Sequence, residues 1–275
     1  MAELAGVYAA SHGPMIVRSW DTLPAACQNT ITTAFTELGR RINAARADVL
    51  VVISPDHWVN FFMDNLPAIC VGVGETHDGP PEPWLSAFPH KQLPGHAPLA
   101  QHIVEHAFSC GFEPSVSYQL ALDHGFCIPL WKAGVAPLPA IVPVVINTVE
   151  PPYPSLRRCF EWGTILAQAI ASFPGNTRVA ILATGGLSHS IGEATMGAID
   201  EAFDRECLQH LASGKHDALF EFLDQRITAA GNGTAEVRNW LAAHGAAGGR
   251  GFDLIHYSAI PEVYVGCGFA AWHST

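Results

Sequence analysis

The chain has 275 residues, a length that favours one α/β domain with a single large core over two ordinary domains. Its composition, 49% hydrophobic and only 14% charged, excludes disorder as the main state. Asp and Glu outnumber Lys and Arg by 25 to 14, so the formal charge of −11 repels phosphate backbones and anionic membrane surfaces. We therefore expect a folded protein that binds neither nucleic acid nor a membrane.

The cysteine and histidine contents narrow the class further. Seven cysteines are spread evenly without a C-x-x-C pair, which predicts reduced, mostly buried thiols. The amino terminus lacks the charged and apolar regions of a signal peptide, and no apolar run is long enough to span a bilayer, so we expect a cytoplasmic protein. The 14 histidines equal Lys and Arg together, which indicates metal or proton chemistry.

Short β-branched runs alternate along the chain with longer segments of helical period. The predicted strands are 6–10, 49–54, 68–73, 140–147 and 179–183. The predicted helices are 24–45, 98–108, 156–173, 198–211 and 217–229. The Gly- and Pro-rich stretch 72–98 is predicted to be an ordered surface excursion or lid. This alternation predicts one domain over residues 1–275, with a three-layer α/β/α fold and a mixed, mostly parallel central sheet.

Four histidines lie at predicted strand ends. His12, His57 and His189 each come a few residues after a predicted strand, and His124 follows Asp123. Open α/β sheets bind their ligands at the carboxyl ends of strands. Each histidine alone is as compatible with a turn or rim position, and Asp123 with an Asx turn that only caps the backbone. Four together point to a functional site.

A possible carboxylate partner lies in the segment Gly231-Asn232-Gly233-Thr234-Ala235-Glu236. We predict that this segment opens a helix, with Thr234 as N-cap and Glu236 in the first turn. A carboxylate in that position is also stabilised by the helix dipole without any further purpose. With two neutral imidazoles, Glu236 would complete a facial triad of the kind that leaves open positions on Fe(II).

Other motifs give competing interpretations. The sequence His102-Ile103-Val104-Glu105-His106 fits the H-x-x-E-H pattern of a zinc peptidase, but also a solvated helix face. The sequence Gly186-Leu187-Ser188-His189-Ser190 resembles the G-x-S-x-G elbow of a hydrolase, but Ser190 occupies the position of the last glycine, so a hydrolase triad is only weakly supported. Neither a dinucleotide fingerprint nor a P-loop is present, so nucleotide cofactors are not indicated.

Eight short groups of residues stand along the chain in an informative order. They are Ser11-His12; Ser54-Pro55-Asp56-His57 with Phe61-Phe62; Cys70-Val71-Gly72-Val73-Gly74; Asp123-His124-Gly125-Phe126; Pro143-Val144-Val145-Ile146-Asn147; Gly185-Gly186-Leu187-Ser188-His189; Glu236 before Trp240-Leu241; and Ile260-Pro261-Glu262. Each group alone is a weak signal. Their order and joint presence resemble the class III extradiol ring-cleavage dioxygenases, almost from end to end.

The resemblance implies a single catalytic domain that opens a catecholic or 2-aminophenol-like ring with both atoms of O₂. It implies that His12, His57 and Glu236 hold Fe(II), and that His124 and His189 are acid–base histidines. We expect His189 to be the base near the substrate and His124 the acid, with the order of steps open. A homo-oligomer, with or without a small second subunit, is also implied. The alternatives are a zinc-dependent hydrolase, using the same triad or His102 and His106, and a metal-free binding protein of the same fold.

The chain departs from the longer members of this family in one region. The stretch between His189 and Glu236 is shorter than in those members, so its pocket wall and subunit contacts can differ from theirs. The substrate of the longer members therefore cannot be assigned to this chain. No residue stands out as the anchor of a substrate carboxylate. Arg238 and Arg250 are the cations nearest to Glu236 in sequence, and both are equally compatible with solvated positions.

Overall fold

The computed structural model describes residues 1–273. The strands are β1 (Glu3–Ala10), β2 (Val49–Ser54), β3 (Ile69–Gly72), β4 (Thr76–Asp78), β5 (Gln92–Pro94), β6 (Ser115–Ser117), β7 (Ala140–Ile146), β8 (Arg178–Thr184), β9 (Gly251–Ile260) and β10 (Val265–His273). The helices are α1 (Met15–Arg18), α2 (Ala25–Ala45), α3 (Ala97–Ser109), α4 (His124–Lys132), α5 (Leu156–Ser172), α6 (Glu201–Ser213), α7 (His216–Arg226) and α8 (Val237–Ala247). None of these helices is both long and apolar enough to cross a bilayer.

Eight strands form one sheet in the order β6-β3-β7-β2-β8-β1-β10-β9. The four central strands, β7, β2, β8 and β1, run parallel to one another. Antiparallel pairs occur only towards the edges, where β3 pairs with β7 and β10 pairs with both β1 and β9. The prediction of a mixed, mostly parallel sheet is therefore confirmed.

Helices cover both faces of this sheet. Along β2, Val49, Val51 and Ile53 face one hydrophobic core, while Leu50 and Val52 face the other. Helices α3, α5, α6, α7 and α8 pack on the first face, and α2 and α4 pack on the second. Because both faces are buried, the strand is continuously apolar, which is why its run could be predicted without an alternating pattern. The three-layer α/β/α fold is confirmed.

Helix α8 is buried along its whole length, since every residue of Val237–Ala247 is shielded from solvent. Five of its eleven residues are Ala or Gly, and the buried polar side chains of Arg238, Asn239 and His244 each form at least one hydrogen bond. At two points the backbones of α5 and α8 touch. A Cβ at Gly163 would overlap the Ala242 carbonyl, and one at Gly245 would overlap the Phe160 carbonyl. These two contacts fix α8 against α5, and Glu236 is the residue that directly precedes α8.

Several details differ from the sequence predictions. Helix α8 begins at Val237, after a 3-10 helix over Asn232–Glu236, so Thr234 is not an N-cap. The Thr234 hydroxyl instead donates to the Ala230 carbonyl. Helix α6 begins at Glu201, later than predicted, because the Asp200 side chain caps the amide of Phe203. The β9–β10 hairpin was not predicted at all.

The stretch 72–98 is an ordered excursion, as predicted. Strands β4 and β5 pair in it as a two-stranded antiparallel sheet, and a 3-10 helix over Pro83–Leu85 lies between them. Leu85 and Leu93 are fully buried in the core on the α2 side, which anchors the excursion to the domain. The cysteines also follow the prediction: all seven are free thiols, and five of them are buried.

Candidate active site

The predicted site residues converge at one edge of the central sheet. His12 follows β1, His57 follows β2 and His189 follows β8, and these three strands are parallel neighbours. Their carboxyl ends therefore meet at the same edge. His124 is the first residue of α4, and Glu236 is the last residue before α8. The structure thus brings together all five residues that the sequence singled out.

The distances in this cluster are short. His12, His57 and His124 each place one ring nitrogen in the cluster, and these three nitrogens lie within 4.8 Å of one another. Glu236 Oε1 is 3.5 Å from Nε2 of His12 and 3.5 Å from Nε2 of His57. The other carboxylate oxygen, Oε2, is 3.9 Å from Nε2 of His189. Three imidazoles and one carboxylate thus surround a space in which a metal ion can be held.

The Nδ1 atom of each histidine is held by an oxygen. The partners are Thr184 Oγ1 for His12 (3.1 Å), Asp123 Oδ2 for His57 (3.0 Å), Glu82 Oε1 for His124 (2.7 Å) and the Leu187 carbonyl for His189 (2.9 Å). Carboxylates and carbonyls only accept, so in three of these pairs Nδ1–H is the donor. The neutral ring then carries its lone pair on Nε2, the atom that can bind a metal or take a proton.

The Glu236 carboxylate is fixed by the loop that follows β8. The Gly186 amide donates to Glu236 Oε2 at 2.6 Å. Gly185 and Gly186 both have positive φ, 102° and 63°, and a Cβ on Gly185 would lie 2.5 Å from the same oxygen. The Trp240 indole holds the loop from the other side by donating to the Gly185 carbonyl. The close backbone approach that this glycine pair permits is therefore made towards Glu236.

Burial and neighbouring charges together shift the pKa values of the cluster in different directions. Burial lowers the pKa of His12, and Glu236 only partly offsets this effect. Burial also opposes a charge on His57, but Asp123 and Glu236 outweigh it and raise the pKa of that ring to about 10. The pKa of Glu236 lies well below its ordinary value, because the neighbouring histidines outweigh its burial. The two fully enclosed carboxylates, Asp123 and Glu236, thus require positive charge beside them.

A cavity of about 510 Å³ opens onto the cluster, a size within the range of small-molecule sites. The four histidines and Glu236 line its inner end. The outer part is mostly apolar, with Trp58, Ile191, Met196 and Tyr264 around the mouth. A neighbouring cavity of about 710 Å³ is larger but contains none of the histidines. The smaller cavity is therefore the candidate active site.

A buried acid anchors the loop that carries His189. Asp204 on α6 accepts from the Ser188 amide and hydroxyl, both at 2.8 Å, and from the Tyr257 hydroxyl at 2.7 Å. The Ser188 hydroxyl in turn accepts from the Asp200 amide. Burial raises the pKa of Asp204 to about 6, against the opposing effect of the donors Tyr257 and Ser188.

This anchor predicts a pH-dependent stability difference between the protein and its Asp204→Asn variant. The folded carboxyl titrates near 6 and the unfolded one near 3.8, so between these values the folded state holds more protons. Lowering the pH from 7 to 4 should therefore stabilise the parent relative to the variant, by on the order of 2–3 kcal/mol. Urea unfolding of both proteins across this range measures the difference. A difference that does not change with pH contradicts the prediction.

The rival metal site on α3 is not assembled. His102 Nε2 is hydrogen-bonded to Ser172 Oγ at 2.9 Å, and His106 Nε2 lies 3.7 Å from the Cys110 thiol. Within residues 1–273, no third His, Cys, Asp or Glu converges on these two rings, whereas His12, His57 and His124 do converge. The H-x-x-E-H match therefore belongs to a helix surface.

Neither arginine near Glu236 in sequence reaches the candidate active site. Arg238 is buried and donates to the carbonyls of Pro154 and Ala235. Arg250 donates to the Leu4 carbonyl. Both guanidinium groups donate to backbone carbonyls, and neither arginine lines the cavity that holds the histidines.

Residues 6–268 match the family model described as the catalytic LigB subunit of aromatic ring-opening dioxygenase. The chain belongs to the LigB family. The extradiol ring-cleavage class predicted from the sequence is thereby confirmed. Such a protein acts on a catecholic substrate and O₂, and the histidine cluster described above is able to hold the metal that the family requires.

Individual relatives extend over most of this LigB-family chain. A 2,3-dihydroxyphenylpropionate/2,3-dihydroxicinnamic acid 1,2-dioxygenase of Paraburkholderia phymatum is 28% identical, covering 85% of this chain and 86% of its own. A similarly named enzyme of Dechloromonas aromatica is 25% identical, with 95% of each chain covered. The crystal structure of an uncharacterized protein from Escherichia coli K12 superposes with a TM-score of 0.64 at 18% identity, over 97% of this chain and 99% of that one, which shows the shared fold.

Several residues of the site were missed by the sequence analysis. Glu82 and Thr184 hold His124 and His12, and Asp204 holds the loop before His189. No local pattern marks them, since each partner is distant along the chain. Asp123 was considered only as a turn residue, yet it both caps α4 and accepts from His57.

Proposed function

We propose that this LigB-family enzyme binds Fe(II) through His12, His57 and Glu236 and opens catecholic rings beside their two hydroxyls. The observation that carries the proposal is the position of Glu236 Oε1, 3.5 Å from both imidazole Nε2 atoms. Ligands bound at about 2.1 Å and roughly a right angle apart are separated by about 3 Å. Small movements of three side chains are enough to reach that geometry.

The chemistry of the donors supports the fit. Two imidazoles and one carboxylate form the set that suits non-haem Fe(II), and the enclosed carboxylates Asp123 and Glu236 favour a cation between them. When bound, Fe(II) supplies open coordination positions and an electron donor for O₂. The hydrogen bonds from His57 to Asp123 and between His12 and Thr184 orient the two rings before any metal arrives.

Two further histidines are proposed to move the protons. His189 donates from Nδ1 to the Leu187 carbonyl, so its Nε2 lone pair is free to take a proton from a catechol hydroxyl. His124 donates from Nδ1 to Glu82, so any second proton on the ring is carried on Nε2, the atom from which we propose that it acts as an acid. The apolar mouth of the cavity limits water around these steps.

We propose a catechol with a carboxylated side chain as the substrate, because the relatives are named for 2,3-dihydroxyphenylpropionate and 2,3-dihydroxicinnamic acid. The cavity of about 510 Å³ leaves room for such a side chain beyond the ring. We further propose a single catalytic domain, a cytoplasmic location and a homo-oligomer, with or without a small second subunit at the exposed side chains of Ile191 and Met196.

The test is oxygen uptake by anaerobically purified protein loaded with Fe(II) or, as the control, with Zn(II). The panel contains 2,3-dihydroxyphenylpropionate, protocatechuate, gallate, catechol and 2-aminophenol. We expect stoichiometric O₂ consumption and a yellow ring-opened product with Fe(II) only. Substrate turnover that is equal with Zn(II) and Fe(II), and that consumes no O₂, would overturn the proposal in favour of a hydrolase. The His124→Gln variant should retain iron. Loss of iron from this variant would make His124 a metal ligand.

A further inference from the structure

One charged side chain in the active-site cavity has no assigned role. Arg18 ends the short helix α1, which begins three residues after His12. It is the only Lys or Arg among the described residues that line the cavity. The cavity therefore carries one permanent positive charge from a side chain, close in sequence to a proposed metal ligand and on the solvent side of the histidine cluster.

The Arg18 guanidinium is not used elsewhere in the fold. Within residues 1–273 it forms no ion pair and no hydrogen bond, whereas Arg40 and Arg205 pair with carboxylates. Its only recorded partner is the Trp84 ring, 5.8 Å from the guanidinium carbon, and Trp84 lies 5.5 Å from the His124 ring. The guanidinium thus lies within cation–π distance of the Trp84 ring, a contact that leaves its N–H donors free.

The surroundings require such a cation if the substrate is an anion. The chain has a formal charge of −11, and Glu150 also lines the cavity. Both repel a carboxylate that approaches the mouth. A guanidinium at the rim offsets this repulsion and offers the two-pronged geometry that matches a carboxylate.

We propose that Arg18 binds the side-chain carboxylate of the substrate and sets the preference for carboxylated over neutral catechols. The proposal rests on the proposed function, because it takes the two ring hydroxyls to lie at the histidine cluster. With the ring at the inner end of the cavity, its substituent extends towards the mouth, where α1 and the Trp84 side chain hold Arg18. Arg18 thus acts on substrate selection, separately from metal binding and proton transfer.

The experiment compares Arg18→Gln and Arg18→Lys with the parent on a matched pair of substrates. These are 2,3-dihydroxyphenylpropionate and its methyl ester, which differ in charge but little in shape. For the acid, we expect kcat/KM to fall about 10- to 100-fold in Arg18→Gln, mainly through KM, with a partial recovery in Arg18→Lys. For the ester, the change should stay within about twofold, and iron content should not change. Arg46→Gln, which replaces an arginine outside the cavity, is the matched control.

Two results would overturn the proposal. Equal losses for acid and ester would assign Arg18 to folding or to chemistry, and no loss with either compound would place the carboxylate elsewhere. Failure of the proposed function is distinguishable, because the parent would then consume no O₂ with either compound. Calorimetric titration with 3-phenylpropionate, which cannot be cleaved, still tests the anion site in that case. Binding to the parent that is lost in Arg18→Gln supports the proposal, and identical binding contradicts it.

Discussion

Replacement of His57 by asparagine is expected to abolish Fe(II) binding and lower ring cleavage at least about 1000-fold, since the metal is required for the reaction. Asparagine can still donate to Asp123 from a position close to that of Nδ1, but it offers no imidazole lone pair on the side of Glu236. His57→Ala should lose iron as well. It also leaves Asp123 buried without its partner, so it is the less stable variant by about 3 kcal/mol or more.

The measurements are iron content after anaerobic loading and initial O₂ uptake, with thermal unfolding as the check that each variant is folded. His102→Asn is the matched control, because it removes a histidine from α3, outside the candidate active site. Full iron content in folded His57→Asn would remove His57 from the ligand set. Iron loss in His102→Asn instead would revive the rival site on α3.

Replacement of His189 by phenylalanine is expected to retain iron and substrate binding and to lower kcat by about 100- to 10,000-fold, the usual range for a lost general base. The ring size is kept, but the Nε2 atom that would take the substrate proton is removed. Its distance of 3.9 Å from Glu236 Oε2 places it beside the proposed metal ligands without sharing the oxygen that faces His12 and His57. Loss of the His189 imidazole should therefore lower kcat without lowering the iron content.

A second variant displaces the His189 ring without replacing it. Gly233 packs against the His189 ring so closely that a Cβ would overlap its Nε2 atom. Gly233→Ala should displace the ring and lower kcat while iron content stays constant. Anaerobic substrate titration, kcat and the pH profile of kcat separate the two variants, since only His189→Phe removes the imidazole. Normal turnover by His189→Phe would exclude His189 from the mechanism.

The sequence alone determined the layers of the fold and the identities of the residues that meet at the site. Strand β2 is an uninterrupted apolar run because it is buried on both faces, and α2 repeats its apolar residues at helical spacing. These are local patterns of chain geometry. The carboxyl ends of parallel strands share one edge, so His12, His57 and His189 could be grouped before any contact was seen. Their roles as ligands or bases stay predictions.

Only the tertiary structure decided what surrounds and orients those residues. Strand β10 has glycines at 266 and 268 that weaken any local strand signal, and it forms by pairing with β1 and β9. Glycine is needed at both positions because a Cβ would meet Asp204 at the first and Leu187 and Trp240 at the second. Glu82 meets His124 from 42 positions away, and Arg18 reaches the cavity because the fold places α1 along the cavity wall. Such contacts depend on how elements pack, and no spacing along the chain encodes them.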